Sequence, residues 1–295
     1  MTRPERNRAA KLSNPTHRTV RKRPPLLRAL GDDDPPEQVT VRGAIYQRAE
    51  ILKHDSWAAT AIYRSEADER IICKFNRTAG VFGLPLAWIG RTLAAREACF
   101  LRQLADVENI PNDLGQVSSD GRLLPNAIAR CYIEGAPMRV KQQIDPRIFD
   151  ELFELLQTMH KRNIAYVDLH KLENIIIGHD DHPYLIDFQV CFGLSSRWPG
   201  NGKIARYCLA RLQEIDIYHL NKHLTRCVPG TLTAEQIRQK STIPPFIRFH
   251  RLFAVPLRTA RRKLLVLIGV RTAGGSGSSE FEPEDAYRSG PPPGQ

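Results

Sequence analysis

Residues 159–189 read Met159-His160-Lys161-Arg162-Asn163-Ile164-Ala165-Tyr166-Val167-Asp168-Leu169-His170-Lys171-Leu172-Glu173-Asn174-Ile175-Ile176-Ile177-Gly178-His179-Asp180-Asp181-His182-Pro183-Tyr184-Leu185-Ile186-Asp187-Phe188-Gln189, and the rest of the chain is arranged around them. Upstream, Ile148, Phe149, Leu152, Phe153, Leu155, Leu156 and Met159 recur at helical spacing, so an amphipathic helix is expected to deliver the chain to a polar loop at Asp168. Downstream, residues 175–177 and 184–186 are short apolar runs on either side of Gly178-His179-Asp180-Asp181-His182-Pro183, which predicts a hairpin. That hairpin holds Asn174 at one end and Asp187 at the other. An amide and a carboxylate fixed in this way are oxygen ligands of the kind Mg²⁺ takes.

The segment resembles the catalytic and metal-binding loops of the protein kinase-like superfamily, whose patterns are His-Arg-Asp-x-x-x-x-Asn followed by Asp-Phe-Gly. Here they read Tyr166-Val167-Asp168 and Asp187-Phe188-Gln189, and Asp168-Leu169-His170 is closest in style to lipopolysaccharide (Kdo and heptose) kinases and aminoglycoside phosphotransferases. Asn174 lies six residues after Asp168 where the pattern has five, so the loop carries one extra residue. Asn174 is the preferred metal ligand because it immediately precedes a strand, and Glu173, which holds the position by count, is the alternative.

Length and composition are those expected of a soluble globular protein of one large domain or two lobes, with a net charge of +11. No apolar run is long enough to span a membrane and the start lacks a signal-peptide pattern, so the expected location is cytoplasmic, or peripheral at the inner face of the membrane. Cys73, Cys99, Cys131, Cys191, Cys208 and Cys227 are widely spaced, without metal-binding clustering, and read as reduced core thiols. The positive charge sits on the flanks: residues 1–28 hold nine Lys/Arg against one Glu, and residues 241–271 hold seven Lys/Arg and no acid. Such flanks favour an anionic surface, phospholipid or nucleic acid. The basic arms are not interleaved with stacking aromatics in a recognisable module, so no specific nucleic-acid partner is expected.

Along the chain, residues 1–38 lack apolar periodicity and are expected to be a disordered, basic, Pro-rich arm. Residues 39–132 then read as an N-terminal lobe, with strands over 46–53, 58–64, 70–75 and 127–132 and a helix over 91–105. Residues 133–270 form a mainly helical C-terminal lobe, and 271–295 a flexible tail. By the resemblance, the turn after residue 53 covers the ATP phosphates. It reads His54-Asp55-Ser56-Trp57-Ala58-Ala59 and has no glycine, although glycine lets backbone N–H groups approach phosphate. Ser56 and the small alanines allow a looser version of that contact.

Lys74 sits in an otherwise apolar strand, where a lysine is costly unless paired. The resemblance makes it the lysine that meets the α and β phosphates, held by Glu97, the only acid of the 91–105 helix. It also makes the backbone of the link 133–137, at Glu134, the partner of adenine. The link 75–90 is unusually apolar through Val81, Phe82, Leu84, Leu86, Trp88 and Ile89, which rest either on the protein itself or on a membrane or acyl chain.

After Gln189 there is no Ala-Pro-Glu motif and no long activation segment. Ser195 and Ser196 read as ordinary loop serines. A helix over 204–224 carries Asp216, which either braces the catalytic loop, as the resemblance implies, or lies on the surface. Residues 245–268 mix aromatics with Arg and suit either an interfacial helix or one docked on the large lobe.

The expected fold is therefore α+β, bilobal and protein kinase-like, and the expected activity is that of an ATP-dependent kinase. Asp168 would orient or deprotonate an acceptor hydroxyl, while Lys74, positioned by Glu97, would neutralise phosphate charge. Asn174 and Asp187 would hold Mg²⁺, with Ser56 and Glu134 beside the nucleotide. His170 either contacts the acceptor or braces the loop. The acceptor is a sugar, lipid-linked or protein hydroxyl, a lipopolysaccharide-like sugar at the membrane surface first and a protein Ser/Thr second. A membrane-associated pseudokinase is the reading from outside the enzymes, supported by the glycine-free turn and the extra loop residue.

Overall fold

A computed structural model describes residues 24–80, 84–139, 144–194 and 200–228, together with 230, 233 and 235. Within the arm expected to be disordered, residues 1–38, the described residues 24–38 are ordered. Pro25–Leu27 form a short 3-10 turn and Arg28 is buried, donating to Gly31 O (2.9 Å) and Asp32 O (3.0 Å) and meeting the Asp34 carboxylate. An arginine that closes a loop on itself through carbonyls has no apolar periodicity, so the sequence pattern carried no sign of it. The rest of the arm, residues 1–23, lies outside the described residues, as do Ser195, Ser196, 245–268 and 272–295.

The N-terminal part is an antiparallel sheet built from β1 (Gln38–Val41), β2 (Ala44–His54), β3 (Ala58–Ser65), β4 (Arg70–Asn76), β5 (Asp113–Gly115), β6 (Val117–Ser119), β7 (Arg122–Leu123) and β8 (Ala127–Cys131), with helix α1 (Ala87–Gln103) packed on it. Its order is β5-β8-β4-β3-β2-β1-β6-β7. β5 and β6 are two residues apart in sequence yet lie toward opposite edges, so the sheet has to curl until those edges approach. Gly115, at φ +89°, supplies the corner in a backbone region that side chains disfavour.

The inner face is filled by Val39, Val41, Tyr46, Ala59, Ala61, Tyr63, Ile71, Cys73 and Phe75. Alternation along β4 follows from the two-residue period of a strand. With Ile71, Cys73 and Phe75 inside, Ile72 and Lys74 face out of the curl, toward the second part of the molecule.

That second part contains β9 (Gly135–Pro137), α2 (Arg147–Lys161), β10 (Ile164–Ala165), β11 (Ile175–Gly178), β12 (Pro183–Leu185), β13 (Phe192–Gly193) and α3 (Lys203–Cys227). The expected hairpin is present, with Ile175 opposite Leu185 and Ile177 opposite Pro183, and β9 pairs with its other side. α2 buries Ile148, Phe149, Leu152, Leu155, Leu156 and Met159, while Phe153, read as part of that face, points to solvent. A second core joins Phe100 and Leu101 of α1, and Leu104 just after it, to α2 and to Tyr166, Leu169 and Phe188.

The class is α+β, as expected. α1 begins at Ala87, four residues before its expected start, because the apolar link runs straight into it. Gly90 permits this: a Cβ there would lie 2.1 Å from the carbonyl oxygen of Arg77. The cysteines are free, but only Cys73 and Cys191 are fully buried, and Cys99 and Cys208 are exposed rather than core. No helix among the described residues is long and apolar enough to cross a membrane.

Candidate active site

An open cleft of about 1110 Å³, its solvent-filled mouth included, lies between the two parts. Leu52, Ala58, Ile72, Tyr132, Ile133, Pro137 and Ile176 form its apolar walls, and Lys53, Lys74, Glu97, Lys171, Glu173, Asn174 and Asp187 supply its charge and polarity.

Lys74 reaches the cleft because of the strand alternation described above. Its Nζ lies 2.9 Å from Glu97 Oε2 and 2.7 Å from Asp187 Oδ1, so one ammonium ties α1 to the end of the hairpin. Burial works against its charge, but the two carboxylates outweigh burial and its pKa is raised, so it remains an ammonium. Arg96, beside Glu97, makes a second tie by donating from Nη2 to Cys191 O (2.7 Å). Sequence reasoning missed it, since an exposed arginine on a helix carries no pattern of its own.

The loop before Asp168 is held in an unfavourable conformation. Val167 has φ +72°, rare for a β-branched residue and costing on the order of 1–3 kcal/mol. Asp216, fully buried on α3, accepts from Tyr166 N–H (2.8 Å) and Val167 N–H (2.7 Å) and pins both amides. The bracing alternative for Asp216 is thus the observed one. His223, also on α3, lies 2.7 Å through Nε2 from Leu169 O, and burial brings its pKa down to about 4, so it is the neutral ring that donates. Tyr166 donates its hydroxyl to Ile186 O and meets Phe188 edge-on at 5.4 Å, which closes the core beneath the site.

Asp168 is buried, and both carboxylate oxygens are engaged. Oδ1 lies 3.0 Å from His170 Nδ1, while Oδ2 accepts from Lys171 Nζ (2.7 Å) and Asn174 Nδ2 (2.9 Å). Burial alone would raise its pKa; the hydrogen bonds from His170 and Lys171 more than offset burial and hold it at about 2. His170 therefore contacts the loop's own aspartate in this structure.

The extra loop residue is absorbed by a 3-10 turn, Leu172–Asn174, after which Asn174 bonds back to Asp168. Ile186 N–H donates to Asn174 O (3.0 Å), which makes Asn174 and Asp187 neighbours across the hairpin. Asp187 itself has φ +66°. Asn174 commits its amide nitrogen to Asp168, so its side-chain oxygen is the atom left for a cation, and Glu173, Asn174 and Asp187 line the same cleft. This all-oxygen donor set fits a hard cation.

Two expected nucleotide contacts are not brought to the cleft. Ser56 turns away and donates from Oγ to Leu27 O (3.1 Å), because the ordered segment before β1 lies behind the turn. Glu134 pairs its side chain with Arg70, and its carbonyl already accepts from His179 N–H (2.9 Å). Ile133 and Pro137 of the link, with Tyr132 just before it, line the cleft instead.

No family model matches the chain. No curated protein matches it either. Among solved structures, the chain is similar to the Rio2 kinase from Chaetomium thermophilum in complex with ADP, Mg²⁺ and phosphoaspartate, at 16% identity and a TM-score of 0.46 over 66% of this chain and 61% of that one. It is also similar to a second crystal structure of the same kinase, at 15% identity and a TM-score of 0.46 over 66% of this chain and 62% of that one. The match thus spans less than two thirds of either structure's chain.

Proposed function

We propose that the protein is an ATP-dependent phosphotransferase acting on a hydroxyl group, with a sugar or lipid-linked acceptor of lipopolysaccharide-like chemistry at a membrane surface. The observation that carries this reading is the Lys74 ammonium, shared by Glu97 and Asp187 in a cleft that Lys171 and Asn174 also line, both of them bonded to Asp168.

Phosphoryl transfer needs positioning and charge stabilisation more than covalent help from the protein. Lys74 neutralises phosphate and Glu97 holds it in place. Asn174 and Asp187 would hold Mg²⁺, which supplies charge neutralisation on the phosphates. Asp168, ionised at all ordinary pH values, accepts a hydrogen bond from the acceptor hydroxyl and orients its oxygen toward the γ-phosphorus. The new P–O bond forms as the β–γ bridging bond breaks, ADP leaves, and the hydroxyl proton passes to Asp168 and then to solvent. His170 and Lys171 have to release part of their hold on Asp168 as the acceptor enters.

The acceptor class is supported by one surface feature. Arg77 is buried and donates to the carbonyls of Leu26 (3.0 Å), Ser56 (2.6 Å), Ala79 (2.9 Å) and Gly80 (3.3 Å), while Gly90 packs on its backbone. It therefore draws together three segments whose large apolar side chains Leu26, Trp57, Leu84 and Trp88 are all exposed. Exposed tryptophans suit the headgroup region of a bilayer, and residues 1–23, which precede these segments in sequence, are basic.

The test is to incubate the full chain with γ-labelled ATP, Mg²⁺ and either a glycolipid extract or a polypeptide mixture. Label on the glycolipid supports the reading, and label on polypeptide alone replaces the acceptor with a protein hydroxyl. Asp168→Ala is expected to lower turnover by roughly 10²–10⁴-fold with MgATP affinity little changed. Full activity in that variant removes Asp168 from the mechanism.

A further inference from the structure

The turn joining β2 to β3 stands where a phosphate-cradling loop is expected, but its backbone is already committed. Asp55 Oδ1 accepts from Trp57 N–H (2.7 Å) and Ala58 N–H (3.0 Å), so the chain's own carboxylate occupies two of the turn's amides. The carbonyls are engaged too: Asp55 O accepts from Ala29 N–H (2.7 Å), Ser56 O from Arg77 Nη1 (2.6 Å), and Trp57 O from Arg77 N–H (2.9 Å). A turn tied down on both sides cannot reshape itself around a phosphate in the way a glycine loop does.

One residue before the turn, Lys53 points into the same cleft. Its Nζ lies 2.9 Å from Asp55 Oδ2, so the carboxylate that caps the turn through one oxygen holds this ammonium through the other. The side chain is about one third exposed and free to swing on its four-carbon stem. Burial works against its charge, but Asp55, then Glu173 and Asp187, outweigh burial and raise its pKa. Those last two carboxylates belong to the facing side of the cleft. Of the other cleft lysines, Lys74 is held by Glu97 on its own side and Asp187 on the facing side, and Lys171 by Asp168 of its own loop. Lys53 therefore faces Glu173 and Asp187 from the opposite wall of the open cleft, held by a single carboxylate of its own turn.

We infer that Lys53 is the roof contact for the nucleotide's polyphosphate: its ammonium leaves Asp55 for the phosphate oxygens and replaces the backbone amides of a glycine-rich turn. Asp55 stays bound to the Trp57 and Ala58 amides, so the turn keeps its shape while the lysine moves. The ligand class is a nucleoside di- or triphosphate, recognised here by charge rather than by backbone geometry. The inference rests on the phosphotransferase reading of the cleft and deepens it.

The experiment measures binding of MgATP and of adenosine to the full-length wild type, Lys53→Met and Lys53→Arg by titration calorimetry, with circular dichroism to verify folding. Lys53→Met is expected to weaken MgATP at least tenfold and to leave adenosine within twofold of wild type, while Lys53→Arg holds MgATP within threefold. Lys53→Met binding MgATP within twofold of wild type overturns the inference and leaves the kinase reading standing. Loss of adenosine affinity in parallel with MgATP, in a folded variant, also overturns it and makes Lys53 part of the cleft wall. Wild type that binds neither ligand removes the phosphotransferase reading and this inference together.

Discussion

Asp216→Asn tests the brace beneath the catalytic loop. In the wild type each carboxylate oxygen takes one backbone amide, Tyr166 N–H at 2.8 Å and Val167 N–H at 2.7 Å, and Oδ2 also lies 3.1 Å from His160 Nε2. Asparagine keeps one acceptor and turns an NH₂ toward the other amide, so one charge-assisted bond is lost and a buried donor is left facing a donor. Bonds of this kind contribute about 1.5–3 kcal/mol each, and an orphaned buried amide costs a comparable amount. The expected destabilisation is about 3 kcal/mol, which corresponds to a fall in Tm of roughly 6–12 °C for a folded region of this size.

Turnover is expected to fall as well, with MgATP affinity nearly unchanged, because Val167 relaxes from φ +72° and carries Asp168 with it. Val167→Gly removes that strain, since glycine occupies this region freely. In the Asp216→Asn background it should therefore recover about fivefold in kcat, equivalent to about 1 kcal/mol. Thermal unfolding followed by circular dichroism and a steady-state assay supply both readings. A variant that melts within 1 °C of wild type and turns over normally would refute the brace, and an uncoupled double mutant would refute the strain.

Glu97→Gln removes one of the two carboxylates that hold the buried Lys74 ammonium, so urea unfolding should show a loss of about 3 kcal/mol and MgATP affinity should drop. His54 and His223 are both held near pKa 4, chiefly by burial, whereas the unfolded chain titrates near 6.5. Below pH 6.5 the unfolded chain takes up protons that the folded chain refuses, so each histidine lowers stability by about 1.4 kcal/mol per pH unit down to about pH 4 and by nothing above 6.5. Urea midpoints across that range should flatten in His54→Gln or His223→Gln, and an unchanged slope in both would dismiss the linkage. Leu84→Ser with Trp88→Ser should reduce co-sedimentation with anionic vesicles severalfold while leaving the Tm within a few degrees; undiminished binding would remove the patch from any membrane contact.

The sequence by itself determined the parts of this protein that depend on local periodicity and local polarity. The helical spacing from Ile148 to Met159, the apolar runs around Gly178-His179-Asp180-Asp181-His182-Pro183, and a lysine placed in an apolar strand are signals confined to a few turns or one strand. They located α2, the hairpin and the Lys74 strand within a few residues, whereas the grouping of Lys74, Glu97, Asp168, Asn174 and Asp187 as one set was what the family resemblance implied. Tertiary structure alone decided what depends on distant carbonyls and on which way a side chain turns. Arg28 and Arg77 fold the chain before β1 behind the β2–β3 turn by collecting backbone oxygens, which leave no trace in residue type. The same packing took Ser56 out of the cleft, gave Asp55 the turn's amides and left Lys53 facing the site. Hydrophobic pattern is written along the chain, whereas the partner of a buried polar group is set by which segments three-dimensional packing brings within about 3 Å of it.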